Sequence, residues 1–430
     1  ISLLYISSLF AVAYWGDRYS PSLSAAQKNL LYSLTLAVYC TSWTFYGAVG
    51  ATVTGGWSYL PIYLGPFLFI IFGRSLLERM VLISKTRSIT SIADFIAARY
   101  GKAQLLAATV TVIAIIGALP YIALQLKAVA MSVDVLNAAG LGTAFPTDDT
   151  ALWSSLLLAL LAMLFGTRQI DATEHHQGLM LAVALESLVK LVALLAVAWF
   201  AWSSLQTLPA GWQNNARLDQ LLRPSIVPTG FMAQLLLAFL AMMCLPRQFH
   251  VAVVECHDVR QVRQAPIWFG LYLVLITLAV LPIASMTLLD PRLAGIHPDT
   301  AVLALPLKLG AEPLAMLAFI GGFSAAAGMV IVASVALSTM ICNDLVVPLL
   351  LRFGRFGQQP MPSLLLWIRR CAIMSLALLG YGYYRLLAEF SQLASVGLLA
   401  FSAVAQFAPA LIGGLFWRGG SRQGVMAGLV

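Results

Sequence analysis

Charge is what this chain has least of. Asp, Glu, Lys and Arg make up 10% of its 430 residues, where a soluble globular domain carries about 25%. So few charges cannot coat a water-soluble body of this length, and a soluble enzyme or carrier is excluded. Cysteine and histidine are scarce too, at five each. Cys40, Cys244, Cys256, Cys342 and Cys371 lie in or beside apolar runs, so they read as small hydrophobes and not as a disulfide framework. His250, Glu255, Cys256, His257 and Asp258 cluster along the chain without a recognised ligand spacing, so no metal site is expected. There is no Gly-rich phosphate loop and no catalytic triad. This segment is therefore not read as an enzyme, and no cofactor is assigned. The net charge of +8 does not indicate nucleic acid, because the basic residues are spread between apolar runs instead of massed on one face.

Apolar sequence is abundant: 60% of residues are hydrophobic and the mean hydropathy is +0.89. A spanning helix needs about 20 apolar residues, so there is room for roughly a dozen. The runs fall at 1–16, 29–50, 57–80, 103–134, 151–166, 177–205, 229–254, 265–289, 313–347, 365–388, 393–417 and 423–430, eleven helices and a truncated twelfth. The first residue is Ile1, not Met, and Val430 lies inside an apolar run, so both ends read as cut. Ile1 to Trp15 reads as the tail of a spanning helix and not as a signal peptide. Eighteen of the 25 Lys and Arg residues fall at gaps after odd-numbered runs and five at gaps after even-numbered ones, while Lys127 and Lys190 lie within helices. By the positive-inside rule the odd gaps are cytoplasmic and the N-terminus starts outside. Links 135–150, 206–228 and 290–312 read as ordered turns, with an interfacial helix at 300–309. His175 and His176 open run six at the interface.

Several runs carry residues that lipid does not favour. Run two contains Thr41, Ser42, Trp43, Thr44, Tyr46, Gly47 and Gly50 in mid-membrane. The two glycines permit unwinding, which is tolerated at that depth only where protein or a cavity buries it; the alternative is an unbroken helix with small packing contacts. Run seven ends in LPRQFH, where Pro246 removes a helix hydrogen bond, leaving either a mid-membrane break or a simple kink at the cytoplasmic end. Runs two and seven are five apart, the offset of an inverted five-helix repeat. Run four holds Pro120, Gln125 and Lys127, which should face the protein interior. In run six Glu186 and Lys190 share one helical face at i,i+4. That intramembrane charge pair reads as mutual neutralisation, or as a proton relay or switch. The small-residue stretches Gly321 to Pro348 and Gln406 to Trp417 allow close helix approach.

The motifs SITSIADFIAARYG (Ser88 to Gly101), PYIALQLKAV (Pro120 to Val129), GTRQIDATEHHQG (Gly166 to Gly178), PRQFHVAVVECHDVRQVRQA (Pro246 to Ala265), the CND ending run nine, and QFAPALIGGLFWRGGSRQGVMAGL resemble the sodium/solute symporter family along nearly the whole chain. The resemblance implies an all-α integral membrane protein of the LeuT-type fold, an inverted five-helix repeat formed by core helices two to eleven, with flanking helices. The expected parts are 1–28, a flanking helix and first loop; 29–205, the first repeat; 206–417, the second; and 418–430, the start of a truncated flanking helix. ALESLVKL, LPRQFHV and GGFSAAAGMVIVASVALS resemble the transporter-like N-terminal domains of CbrA-type sensor histidine kinases. That branch implies a cytoplasmic kinase module, a response regulator, two-component signalling and a bacterial inner membrane. The family's sodium site uses two adjacent hydroxyl residues on run nine, fifteen and sixteen positions before the Asp that ends it. Counted from Asp344, those positions hold Met329 and Gly328. Neither offers a side-chain oxygen to a hard cation, so no sodium site is assigned.

The resulting expectation is a solute-sensing or solute-transporting domain coupled to a histidine kinase. Its solute would be a small polar metabolite, an amino acid by preference, held between helices two, four, seven and eleven. Trp43, Thr44, Tyr46, Tyr121, Gln125, Met242 and Gln406 are the expected lining, with helix breaks at Gly47, Gly50 and Pro246. A free-standing cation-coupled symporter and a purely structural membrane anchor are the alternatives.

Overall fold

The computed structural model describes residues 2–19, 23–141, 149–167, 177–209, 212, 215, 216, 218, 221, 229–352, 361–388 and 392–430. Among them there is no strand. The helices are α1 (Ser2–Tyr19), α2 (Ala25–Leu36), α3 (Ala48–Gly55), α4 (Pro61–Phe72), α5 (Arg74–Arg87), α6 (Ile92–Arg99), α7 (Gln104–Ala138), α8 (Thr150–Gly166) and α9 (Gln177–Leu205). They continue with α10 (Phe231–Cys244), α11 (Pro246–Phe249), α12 (Val259–Leu289), α13 (Ala301–Lys308), α14 (Glu312–Met340), α15 (Val347–Arg352), α16 (Met361–Tyr383), α17 (Leu393–Ala405), α18 (Ala408–Phe416) and α19 (Arg422–Leu429). Most of GTRQIDATEHHQG, including Arg168, His175 and His176, lies outside the described residues.

Each expected run coincides with helix, and α13 falls on the short helix expected at 300–309. Six helices are long and apolar enough to cross a membrane, or eight if each of two bent pairs is one span. The count differs from the expected eleven because several runs are broken or short. Trp43–Tyr59 meets Pro61–Phe72 at 60°, and Phe231–Cys244 meets Pro246–Val254 at 50°. The chain is a multi-pass membrane protein.

Local chemistry sets the helix starts. Ser24 and Gln27 form a reciprocal capping box before α2, and Asp258 and Gln261 form another before α12. At the centre lies α14. In the span Glu312–Arg352 that contains it, 94% of the most apolar window is buried, so it contacts protein and almost no lipid. Close approach requires its glycines. A Cβ on Gly321 would lie 2.6 Å from Ala193 Cβ, and one on Gly322 would lie 1.9 Å from Tyr46 Oη. Helix α9 packs on α14, α12 and α1, while α7 packs on α17, α14 and α16. Two interrupted elements, α2–α3 and α10–α11, are held inside this frame.

Candidate functional site

The first interruption lies between Leu36 and Trp43. Beyond α2 the chain makes a tight turn over Ala37–Tyr39, Cys40 is extended (φ −77°, ψ 103°), and a wide π-type turn over Trp43–Gly47 leads into α3. Thr41, Ser42 and Thr44 stand here, and short hydroxyl side chains compete with the helix for its own backbone groups. Thr44 Oγ1 donates to Thr41 O at 2.8 Å.

Backbone groups freed inside a spanning bundle need partners, and other helices supply them. Lys190 Nζ, from α9, donates to Cys40 O at 2.7 Å and to Ala37 O at 3.1 Å. Gln125, from α7, accepts from Ser42 N at 3.3 Å and Ser42 Oγ at 2.7 Å through Oε1. Its Nε2 donates to Tyr121 O at 3.2 Å. Gln248, from α11, donates to Leu36 O at 3.2 Å. Thr41 Oγ1 and Tyr121 Oη are hydrogen-bonded at 3.0 Å.

The second interruption is at Leu245, extended (φ −67°, ψ 126°) between α10 and α11. Its cause is Pro246, which cannot continue the helix ladder and pushes the preceding residue out of the helical region. Arg247 follows. Its guanidinium lies 4.2 Å from the centre of the Tyr121 ring, and the residue is 2% exposed.

An aromatic cluster joins the two interruptions. Tyr121 and Phe401 stack at 5.8 Å and 11°, Trp43 meets Phe401 at 5.2 Å, and Tyr39 meets Phe401 at 6.0 Å. Gly397 makes room for the indole: a Cβ there would lie 2.2 Å from Trp43 Cε3. Trp43 also lines a cavity of about 180 Å³ with Thr54, Tyr59, Gln234 and Ser395. Towards the arginine-rich side lies a cavity of about 300 Å³ lined by Arg87, Phe95, Arg99, Ala410 and Gly414.

Trp43, Tyr121 and Gln125 are thus brought together as expected. Thr44 is buried beside them, with its hydroxyl bound within its own turn. Three expected residues fall elsewhere. Tyr46 points away, donating to Ala318 O at 3.4 Å and lying against Gly322 on α14. Met242 is fully buried in α10, ahead of the break. Gln406 is exposed at the turn between α17 and α18, where Phe407 takes the buried position. Gly47 and Gly50 are not breaks, since both have helical geometry or lie inside α3. Their role is close packing: a Cβ on Gly47 would lie 3.0 Å from Leu393 Cβ, and one on Gly50 would lie 1.9 Å from Asp299 Oδ1.

Glu186 and Lys190 also differ from the expected pair. No ion pair joins them among the described residues, because Lys190 turns to the carbonyls of Ala37 and Cys40. Glu186 instead faces Gly328, where a Cβ would lie 2.2 Å from its Oε2. Its carboxylate thus fills the space that a side chain at Gly328 would take, and Met329 next to it is buried. Arg247 and Phe401 were not foreseen from sequence as site residues, and Ser42 was marked only as a polar residue of run two. Arg247 sits just after a proline near the end of an apolar run, and there it resembles an ordinary flanking charge.

Neither a protein-family profile nor a curated protein sequence matches the chain. Among solved structures, the chain is similar to a Na⁺-coupled sialic acid symporter in a substrate-bound outward-open state, with 14% identity and a TM-score of 0.65. The match covers 99% of this chain and 94% of that one. The chain therefore has the LeuT-type, all-α membrane fold.

Proposed function

We propose that this chain is a cation-coupled secondary transporter of a small polar solute, held between the interruption at Cys40–Ser42 and the one at Leu245. One observation carries the reading: two interrupted elements, in runs five apart, meet over a single aromatic cluster containing Trp43, Tyr121 and the Arg247 contact. Interrupted helices meeting in the bundle interior form the solute sites of secondary transporters. The likeness to a solved symporter supports the same reading. Solute entering the cavity of about 180 Å³ would meet the Trp43 indole, and the arginine-lined cavity would lead to the cytoplasm. An amino acid is the solute class favoured by the sequence. By its charge pattern and its resemblance, the chain would sit in the inner membrane with its N-terminus outside, coupled to a kinase module and its response regulator.

Sodium is not the coupling cation in this reading. The Cys40 carbonyl freed at the break and the Ala37 carbonyl beside it already hold the Lys190 ammonium, and Gly328 and Met329 bring no side-chain oxygen. Coupling by protons fits that arrangement.

Proteoliposomes test the proposal. A labelled amino acid from a panel should accumulate by counterflow, and under a proton gradient with choline as the only other cation. Gly397→Ala, which pushes on Trp43, should cut counterflow at least about tenfold, or roughly 1.4 kcal/mol. Solute binding without counterflow would leave a sensor and no transporter.

A further inference from the structure

We infer that Arg247 is the anion anchor of this site and that the solute carries a carboxylate. The inference rests on the transport site proposed above and names the class of its solute.

The starting point is how Arg247 is buried. Its Nε and Nη2 are buried and make no hydrogen bond among the described residues. No ion pair among those residues includes it. Taking a guanidinium out of water is costly unless it is paired, and the Tyr121 face offsets only part of that cost. A buried cation with two free donors therefore calls for an acceptor.

Geometry narrows the acceptor. Nε and Nη2 form one edge of the guanidinium, and their two parallel N–H bonds match the spacing of two carboxylate oxygens. Charge narrows it further. Lys190 and Arg247 are close enough to repel each other, and Lys190 is within electrostatic reach of Glu186. A bound anion would offset the repulsion between these two cations. The aromatic rings of Tyr39, Trp43, Tyr121 and Phe401 would hold the apolar body of such a molecule. Beside Arg247, two further buried atoms make no hydrogen bond among the described residues: Tyr39 Oη, within electrostatic reach of Arg247, and Gln248 Oε1, on the next residue. Both suit a donor beside the carboxylate, as in an α-amino or α-hydroxy acid.

The test uses the chain purified in detergent and thermal stabilisation by a panel of amino acids, α-hydroxy acids and their primary carboxamides. Carboxylates should stabilise it, and each matching carboxamide should bind at least about 30-fold more weakly, the range for removing one partner of a buried charge pair. Arg247→Gln should abolish the preference for acid over amide. Arg247→Lys should retain it in weakened form, since the charge stays and the two-pronged edge is lost. The acid–amide comparison on the unaltered chain stands even where Arg247→Gln folds poorly. Equal binding of acid and amide, unchanged carboxylate affinity in Arg247→Gln, or no stabilisation by any carboxylate would overturn the assignment. A neutral polyol that binds at Trp43 while carboxylates do not would keep the site and remove the anion anchor. Carboxylate binding through Arg247 without counterflow would remove transport and keep the anchor.

Discussion

Lys190 closes the break after α2 by donating to the carbonyl oxygen of Cys40, 2.7 Å away. A charged amine from one helix thus holds the unwound backbone of another. Lys190→Met should leave the Cys40 acceptor unpaired, while Ala37 O keeps the Cys40 N–H, and cost about 1–3 kcal/mol, read as a fall in thermal or detergent-induced unfolding midpoint. Solute affinity in the unaltered chain should agree within a few-fold in sodium and in choline. A tenfold gain in sodium, about 1.4 kcal/mol of coupling, would contradict the tethered-cation reading.

Glu186 and Gly328 should prove energetically coupled. A methyl group at Gly328 meets Glu186 Oε2 at 2.2 Å, so Gly328→Ala must displace a buried carboxylate, at about 1–3 kcal/mol for overpacking. Glu186→Ala removes the obstacle. In a double-mutant cycle on unfolding midpoints, the double variant should be at least about 0.5 kcal/mol more stable than the sum of the single losses predicts. Simple additivity would mean that the two residues do not share the space.

Outside the spanning segments, Asp299 gives the protein a pH-dependent latch. It accepts from Leu393 N at 3.3 Å and lies against Gly50, so it ties the 298–300 turn to α17 and α3. Burial raises its carboxyl above the ordinary range, against the lowering effect of the Leu393 amide, His297 and Lys127. A raised carboxyl binds its proton more tightly when folded. Its contribution is therefore fully present below the ordinary value of about 3.9 and lost as pH rises through the raised one. The unfolding midpoint should fall across that window, and Asp299→Asn should flatten the slope. An unchanged slope in the variant would assign the pH dependence to another group.

Gly47→Leu should block solute stabilisation by crowding Trp43 and Leu393, each 3.0 Å from a Cβ at that position. The same change at Ala201, in α9, gives the comparison for general crowding of a buried position. If Gly47→Leu still shows full solute stabilisation, the solute does not sit beside Trp43.

Much of the frame was legible in the residues. The apolar runs, the short helix at α13 and the break at Pro246 follow from local chemistry: hydropathy, and a proline that cannot continue a helix. The break after α2 was misplaced for a physical reason. Gly47 and Gly50 were read as hinges because glycine frees the backbone, yet both are spent on close contact with Leu393 and Asp299. The true break at Cys40–Ser42 depends on Lys190, Gln125 and Gln248, all far along the chain, and no local pattern signals such partners. Gln406 illustrates the same limit: the turn after Ala405 decides which neighbour faces inward, and Phe407 does.

The dependence of that break on distant partners also bears on how the protein is made. Cys40 leaves the ribosome 150 residues before Lys190, and Leu36 leaves 212 residues before Gln248. At about 5–20 residues per second of synthesis, the segment waits roughly 8–30 s for its lysine. During that interval its carbonyls cannot sit bare in hydrocarbon. Before α9 packs, the segment can meet that demand only as a continuous helix or outside the hydrocarbon, so the break can form in the bilayer only with α9 in place.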